Sequence, residues 1–144
     1  MANIDKPKGF YPLGDSPRHP YTASAAVEKG DALLIAAGEI DVYAEGAGNK
    51  VLGVAAEDIA ADATGLVWDD PHQEFVGQCS GTYAETANGT TSDIEGATGE
   101  MEVNEDATVN ETVTIKRHYD GEVGSAEVGE FSRVVFIFAQ HVLS

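Results

Sequence analysis

A chain of 144 residues is long enough for one domain with a sizeable core and too short for two comfortable ones. Its 25 acids against 8 bases give a formal net charge of −17, which repels phosphate backbones and anionic lipid and so argues against direct nucleic-acid binding and membrane association. Val, Ile and Thr total 31 against 8 for Leu plus Met, and the single Cys79 allows no internal disulfide, so an all-β fold held by packing or assembly is expected.

Residues 1–22 read as an extended N-terminal arm, because Pro7, Pro12, Pro17 and Pro20 each remove a backbone donor and disfavour helix in the residue before them. Met1 to Gly9 lacks the apolar core of a secretory signal, and no apolar run approaches the roughly 20 residues of a membrane span, so a soluble, unexported chain is expected. The first 20 residues carry Lys6, Lys8 and Arg18 against Asp5 and Asp15, whereas Gly30 to Ile115 holds 18 acids and one base, Lys50. A slightly basic arm thus precedes a strongly acidic body. Phe10, Tyr11, Leu13 and Tyr21 give the arm apolar surface it cannot bury alone, so it must dock either on its own body or on another chain.

Residues 23–144 read as a single β domain of short strands, a barrel or a sandwich. Glu28-Lys29-Gly30-Asp31 is a turn leading into an apolar strand at Ala32–Ala36, which a turn near Gly38 joins to Glu39–Ala44 as a hairpin. The loop Glu45–Lys50 precedes a buried strand at Val51–Ala56, and Ala55–Ala63 has the composition of a helical turn ended by Gly65. Leu66–Trp68 and Glu74–Gln78 are short strands joined through Asp69-Asp70-Pro71-His72. From Ser80 to Asn110 glycine, threonine and acids predominate, leaving one short strand at Glu100–Val103. Thr112–Tyr119 alternates as a strand, and after a loop at Glu122–Gly129 the longest strand, Phe131–Val142, is expected to be buried on both faces.

Residues able to do chemistry are few. His19, His72, His118 and His141 show neither His-x-His nor His-x3-His spacing, Asp69, Asp70 and His72 make an ordinary turn that could also hold a cation, and Cys79 reads as a small core thiol. The sequence has no Gly-x-Ser-x-Gly elbow and no glycine-rich phosphate loop. Glu100, Glu102, Glu105, Asp106 and Glu111 do not match an EF-hand and read as solvated acids. Neither a metal nor a cofactor is therefore expected.

One set of features in fixed order resembles a known family. Met1-Ala2-Asn3 opens an arm with Lys8-Gly9-Phe10 and Pro12. Val27–Leu34 enters a hairpin, then come Val51-Leu52-Gly53-Val54-Ala55, Asp70–Gln78 and a closing Val134–His141 strand. The chain in this respect resembles the small capsid decoration, or cement, proteins of tailed bacteriophages. The resemblance implies a β-tulip-like, short-stranded domain with no enzymatic activity, assembling as a homotrimer on the outer surface of the virion's icosahedral head and bracing major capsid protein subunits. Lys6, Lys8, Phe10, Tyr11, Arg18 and Tyr21 are then the expected capsid or subunit interface, and deletion of residues 2–20 is expected to leave the β body folded. Two other readings compete: a cation-dependent module for host-surface glycans using Asp69, Asp70 and His72, and an enzyme with His72 or His118 beside a nucleophile in a small pocket.

Overall fold

The computed structural model of the protein describes residues 2–46, 49–122 and 124–143. Met1 of the arm, Ala47 and Gly48 of the loop expected at 45–50, Val123 of the loop expected at 122–129, and Ser144 lie outside the described residues. With strands numbered in chain order, one antiparallel sheet runs β1 (Tyr11–Pro12), β7 (Phe75–Gln78), β11 (Arg133–Phe138), β10 (Val113–Tyr119), β8 (Thr91–Glu95), β9 (Glu102–Asn104). The second runs β2 (Arg18–Thr22), β6 (Thr64–Trp68), β5 (Gly53–Ala55), β3 (Ala32–Ala36), β4 (Glu39–Val42). Neither sheet closes into a barrel among the described residues, and the fold is an all-β sandwich.

Side-chain alternation explains why the second sheet reads as continuously apolar. Ala32, Val54 and Trp68 point into the main core shared with Phe75, Val113, Ile115, Val134 and Phe136 of the other sheet. Their neighbours Leu33, Ala55 and Val67 point the opposite way, into a second cluster completed by Ala23, Val27, Ile40, Leu52 and Ile59. A sheet covered on both faces needs apolar residues at successive positions.

Several sequence expectations change in detail. Residues 55–63 form no helix: Ile59 bridges Val27 and fills the second cluster, and Asp62 takes a left-handed φ of 63°. The terminal strand is shorter than Phe131–Val142, because Phe131 has φ 58°, outside the strand region, and the chain bends after Phe138 so that His141 bridges Val51. The longest strand is therefore β10, with a bulge between Ile115 and Arg117. Glu85–Ala87 forms a short 3-10 helix, and β8 emerges from the segment read as loop.

Two glycines set close approaches of different kinds. A Cβ on Gly53 would lie 2.0 Å from the carbonyl oxygen of Trp68, so the β5–β6 pairing requires glycine there. Gly38, in the β3–β4 hairpin, has φ 81° but open space around its absent side chain. Gly53→Ala should accordingly lower stability by at least about 3 kcal/mol, through overpacking against backbone that cannot yield. Gly38→Ala should cost about 1 kcal/mol from left-handed strain alone. Urea unfolding of the two variants checks the order, and equal midpoints would contradict it.

Candidate functional site: the docked N-terminal segment

The arm lies on its own body. Residues 11–12 and 18–22 are strands at the edges of the two sheets, with Tyr11 opposite Val76 and Tyr21 opposite Gly65. Prolines are tolerated at both places because an edge strand leaves half its donors unpaired. Ahead of β1, Asn3 donates to the carbonyls of Glu127 and Glu130 at 2.7 and 3.0 Å, Ile4 N–H to that of Gly124 at 2.9 Å, and Lys6 N–H to Oε1 of Gln78 at 2.9 Å.

Phe10 is 1% exposed, its ring edge-on to Phe136 at 5.0 Å between centroids. Gly77 makes the room: a Cβ there would stand 2.6 Å from the Phe10 ring. The ring therefore belongs to the main core. Tyr11, Leu13 and Tyr21 of the arm are half-buried and Val134, Val135 and Phe136 of the terminal strand are buried, while Ile4 and Val142 stay exposed. Deleting residues 2–20 would remove β1, most of β2 and a core phenylalanine, so the body would not keep its fold as the sequence reading supposed. The cause is that the arm completes both sheets.

Around Phe10 sits an ionic clasp that the sequence did not mark. Glu122, in the loop after β10, receives Lys8 Nζ on Oε1 at 2.5 Å, accepts the Tyr11 hydroxyl on Oε2, and faces Arg133 Nε at 3.3 Å. Arg133 is nearly buried and also donates to the Lys6 carbonyl at 3.1 Å, tying the arm to β11. The Lys8 ammonium lies 5.0 Å from the centroid of the Tyr11 ring. Burial pushes the Glu122 carboxyl upward, but hydrogen bonds from Lys8 and Tyr11 and the charge of Arg133 outweigh it and hold the group below its ordinary 4.5. Burial and the same carboxylate push the Tyr11 phenol well above its ordinary value.

On the other sheet, Asp69 at the end of β6 accepts the Tyr21 hydroxyl on Oδ2 at 2.6 Å and contacts Nδ1 of His19 through Oδ1, also at 2.6 Å. Burial and that hydrogen bond push the Tyr21 phenol up to about 12. Both Asp69 oxygens are thus committed, and Asp70 Oδ1 accepts the His72 backbone N–H at 2.8 Å in the expected turn. Among the described residues no three His, Cys, Asp or Glu side chains converge as a metal site. Cys79 is fully buried, and burial, reinforced by Glu105, Glu102 and Asp106, pushes its thiol far from the reactive thiolate. His118 stacks against Tyr83 with centroids 6.0 Å apart. His141 is buried beside Leu52, and that burial lowers its pKa.

The six residues expected to form an interface therefore divide. Phe10 is internal, Tyr11 and Tyr21 spend their hydroxyls on Glu122 and Asp69, and Lys6, Lys8 and Arg18 are exposed. No protein-family model matches the chain, and no curated protein matches it in sequence.

Phe10→Ala should destabilise the protein by about 3–5 kcal/mol, the usual cost of emptying a buried phenylalanine site, with a fall in the urea midpoint as the measurement. Glu122→Gln should cost about 3 kcal/mol at pH 7, since it leaves the Arg133 charge uncompensated. The folded Glu122 pKa is depressed, so its contribution is complete above 4.5 and fades as pH falls through the folded value. The gap between wild type and variant should therefore close on acidification below that range. Glu102 and Glu105, whose burial raises their pKa values, move stability the opposite way, but in both proteins alike. A gap of equal size at pH 7 and pH 3 would contradict this account.

Proposed function

We propose that the protein is a non-enzymatic structural component of a tailed-phage virion. It binds the outer surface of the assembled head as a trimer and stabilises contacts between major capsid protein subunits. One observation carries this reading: the separated motifs on which the family resemblance rests meet in the folded chain. Lys8-Gly9-Phe10 lies against the Glu28–Asp31 turn, with Phe10 N–H donating to the Gly30 carbonyl at 2.8 Å. Val51–Ala55 pairs with the hairpin strand β3, and β7 of the Asp70–Gln78 motif lies between β1 of the arm and the closing strand β11. These contacts make the separated motifs parts of one packed unit, which supports reading them together.

The trimer rests on the resemblance. Capsid stabilisation would work by linkage: a ligand present at 100 times its Kd stabilises the state it binds by about 2.7 kcal/mol per site. The strongly acidic surface suits a protein that coats a particle without touching the nucleic acid inside it.

The test is sedimentation of the purified protein with heads of the phage that encodes it, prepared without the protein. It should pellet with expanded, DNA-filled heads and raise the temperature at which they release DNA. Protein that stays in the supernatant at micromolar concentration would overturn the reading. Light scattering of the free protein checks the trimer, and a mass near 15 kDa would contradict it.

A further inference from the structure

Just past β11 the chain is pinned once more, by Ala139 N–H donating to the Thr112 carbonyl at 2.8 Å. Residues 140–143 then run along Val51, whose N–H donates to the Gln140 carbonyl at 2.7 Å and whose carbonyl accepts from Val142 N–H at 2.9 Å. The side chains of this segment do little to hold it there. Val142 and Leu143 are 37% and 57% exposed, and only the ring of His141, at 2%, is fully inside.

That ring is locked in one protonation state by what it touches. Leu143 N–H donates to Nδ1 at 3.0 Å, and a ring nitrogen that accepts a hydrogen bond carries no proton. The ring is therefore neutral, with its one proton on Nε2, and the Leu52 carbonyl also hydrogen-bonds with it. A second proton has only Nδ1 to bind, where it meets the Leu143 N–H donor head-on. Its uptake breaks the bond that folds Leu143 back on His141 and places a charge in a site closed to solvent.

The charged groups around the ring do not remove this conflict. Asp69 and Asp70, in the turn after β6, favour the imidazolium, and His72 of the same turn opposes it. Both Asp69 oxygens are already held by Tyr21 and His19 of β2, and Asp70 Oδ1 by the His72 backbone N–H. Lys50, one residue ahead of Val51, borders the groove that Val142 lines with Leu34, Ile35 and Ala36. Burial outweighs the two acids and keeps the ring below its ordinary 6.5.

We propose that residues 140–143 are a pH-sensitive strap, docked on Val51 while His141 is neutral and released when Nδ1 takes a proton. The released ring titrates near its ordinary 6.5 and the docked ring lower, so the released form binds more protons and gains on the docked form as pH falls below that value. Above it the strap stays closed. Release uncovers Val51, which is otherwise fully buried, beside Leu34, Ile35 and Ala36, while the Ala139 bond to Thr112 keeps β11 in place.

The experiment follows amide exchange by NMR in wild type and His141→Asn, with the His141 ring titrated by its own resonances. Protection of the Val142 and Leu143 amides, taken against intrinsic exchange rates at each pH, should fall at least about fivefold from pH 7.5 to pH 5.0 in wild type. The Ile115 amide, bonded to the Thr90 carbonyl, should keep its protection. An asparagine oxygen can still accept from Leu143 and does not titrate, so His141→Asn should show no such fall, whatever its absolute protection. A fall that survives in His141→Asn belongs to other groups, among them Glu102, Glu105 and His72, and overturns the inference. Should that variant not fold, wild type decides alone: amide release and ring titration with one midpoint support the strap. Different midpoints, or a ring that titrates while Val142 and Leu143 stay protected, overturn it.

Discussion

The ring of Phe10 occupies a site that exists only because residue 77 has no side chain, on a strand whose other neighbours are large. Once seated, it fixes the residues on both sides of it. Ahead of it the chain must run along the loop that precedes β11, where Asn3 and Ile4 find their partners, and past Gln78 of β7, which meets Lys6, and beyond it the chain must enter β1 against β7. The burial of one aromatic side chain could not order so many residues against their conformational entropy. It acts with a row of backbone hydrogen bonds that become available in the same register, which is why the segment is wholly part of the domain.

Electrostatics follows from that placement. In a chain with 25 acids a single carboxylate, Glu122, gathers two cations and a phenol, and it can do so because the docked segment brings Lys8 and Tyr11 to the half-buried position that Arg133 already shares. Asp69 plays the equivalent part for the second strand of the segment, through Tyr21 and His19. Each sheet thus holds its N-terminal edge strand by a hydrogen-bonded acid, and of the remaining acids Asp31 and Asp93 are buried while most others reach solvent, where their mutual repulsion is screened.

What could be read in the sequence was whatever obeyed a period or a turn rule. Ala32–Ala36 and its hairpin partner, Phe75–Gln78 and Val113–Tyr119 are apolar or alternating runs bounded by turn residues, and they are strands within a residue or two of expectation. The strands β1 and β2 were hidden by their prolines, which are compatible only with edges, and edge position is a tertiary fact. Strand β8 was hidden by Ser92 and Asp93, which are buried; Asp93 satisfies the N–H groups of Asn110 and Glu111, long-range partners that no local pattern reveals. The basic and aromatic residues of the N-terminal segment were legible as a group that must dock somewhere. Glu122 was not, since one acid in a glycine-bearing loop looks like any other. The charge contrast between segment and body was the only signal pointing to such a partner.

The position of β11 has a consequence for how the protein is made. It is the last strand among the described residues, yet it lies in the interior of its sheet, pairing with β7 on one side and β10 on the other. Until residues 133–138 have left the ribosome, β7 and β10 have no common neighbour, and the N-terminal segment lacks both Arg133 and the Phe136 ring on which Phe10 rests. The segment before β1 therefore waits for β11. Contacts of such long sequence separation make folding slow relative to local structures. The main core can assemble only after β11 has emerged, with Phe10 and the residues around it exposed to the cell in the interval.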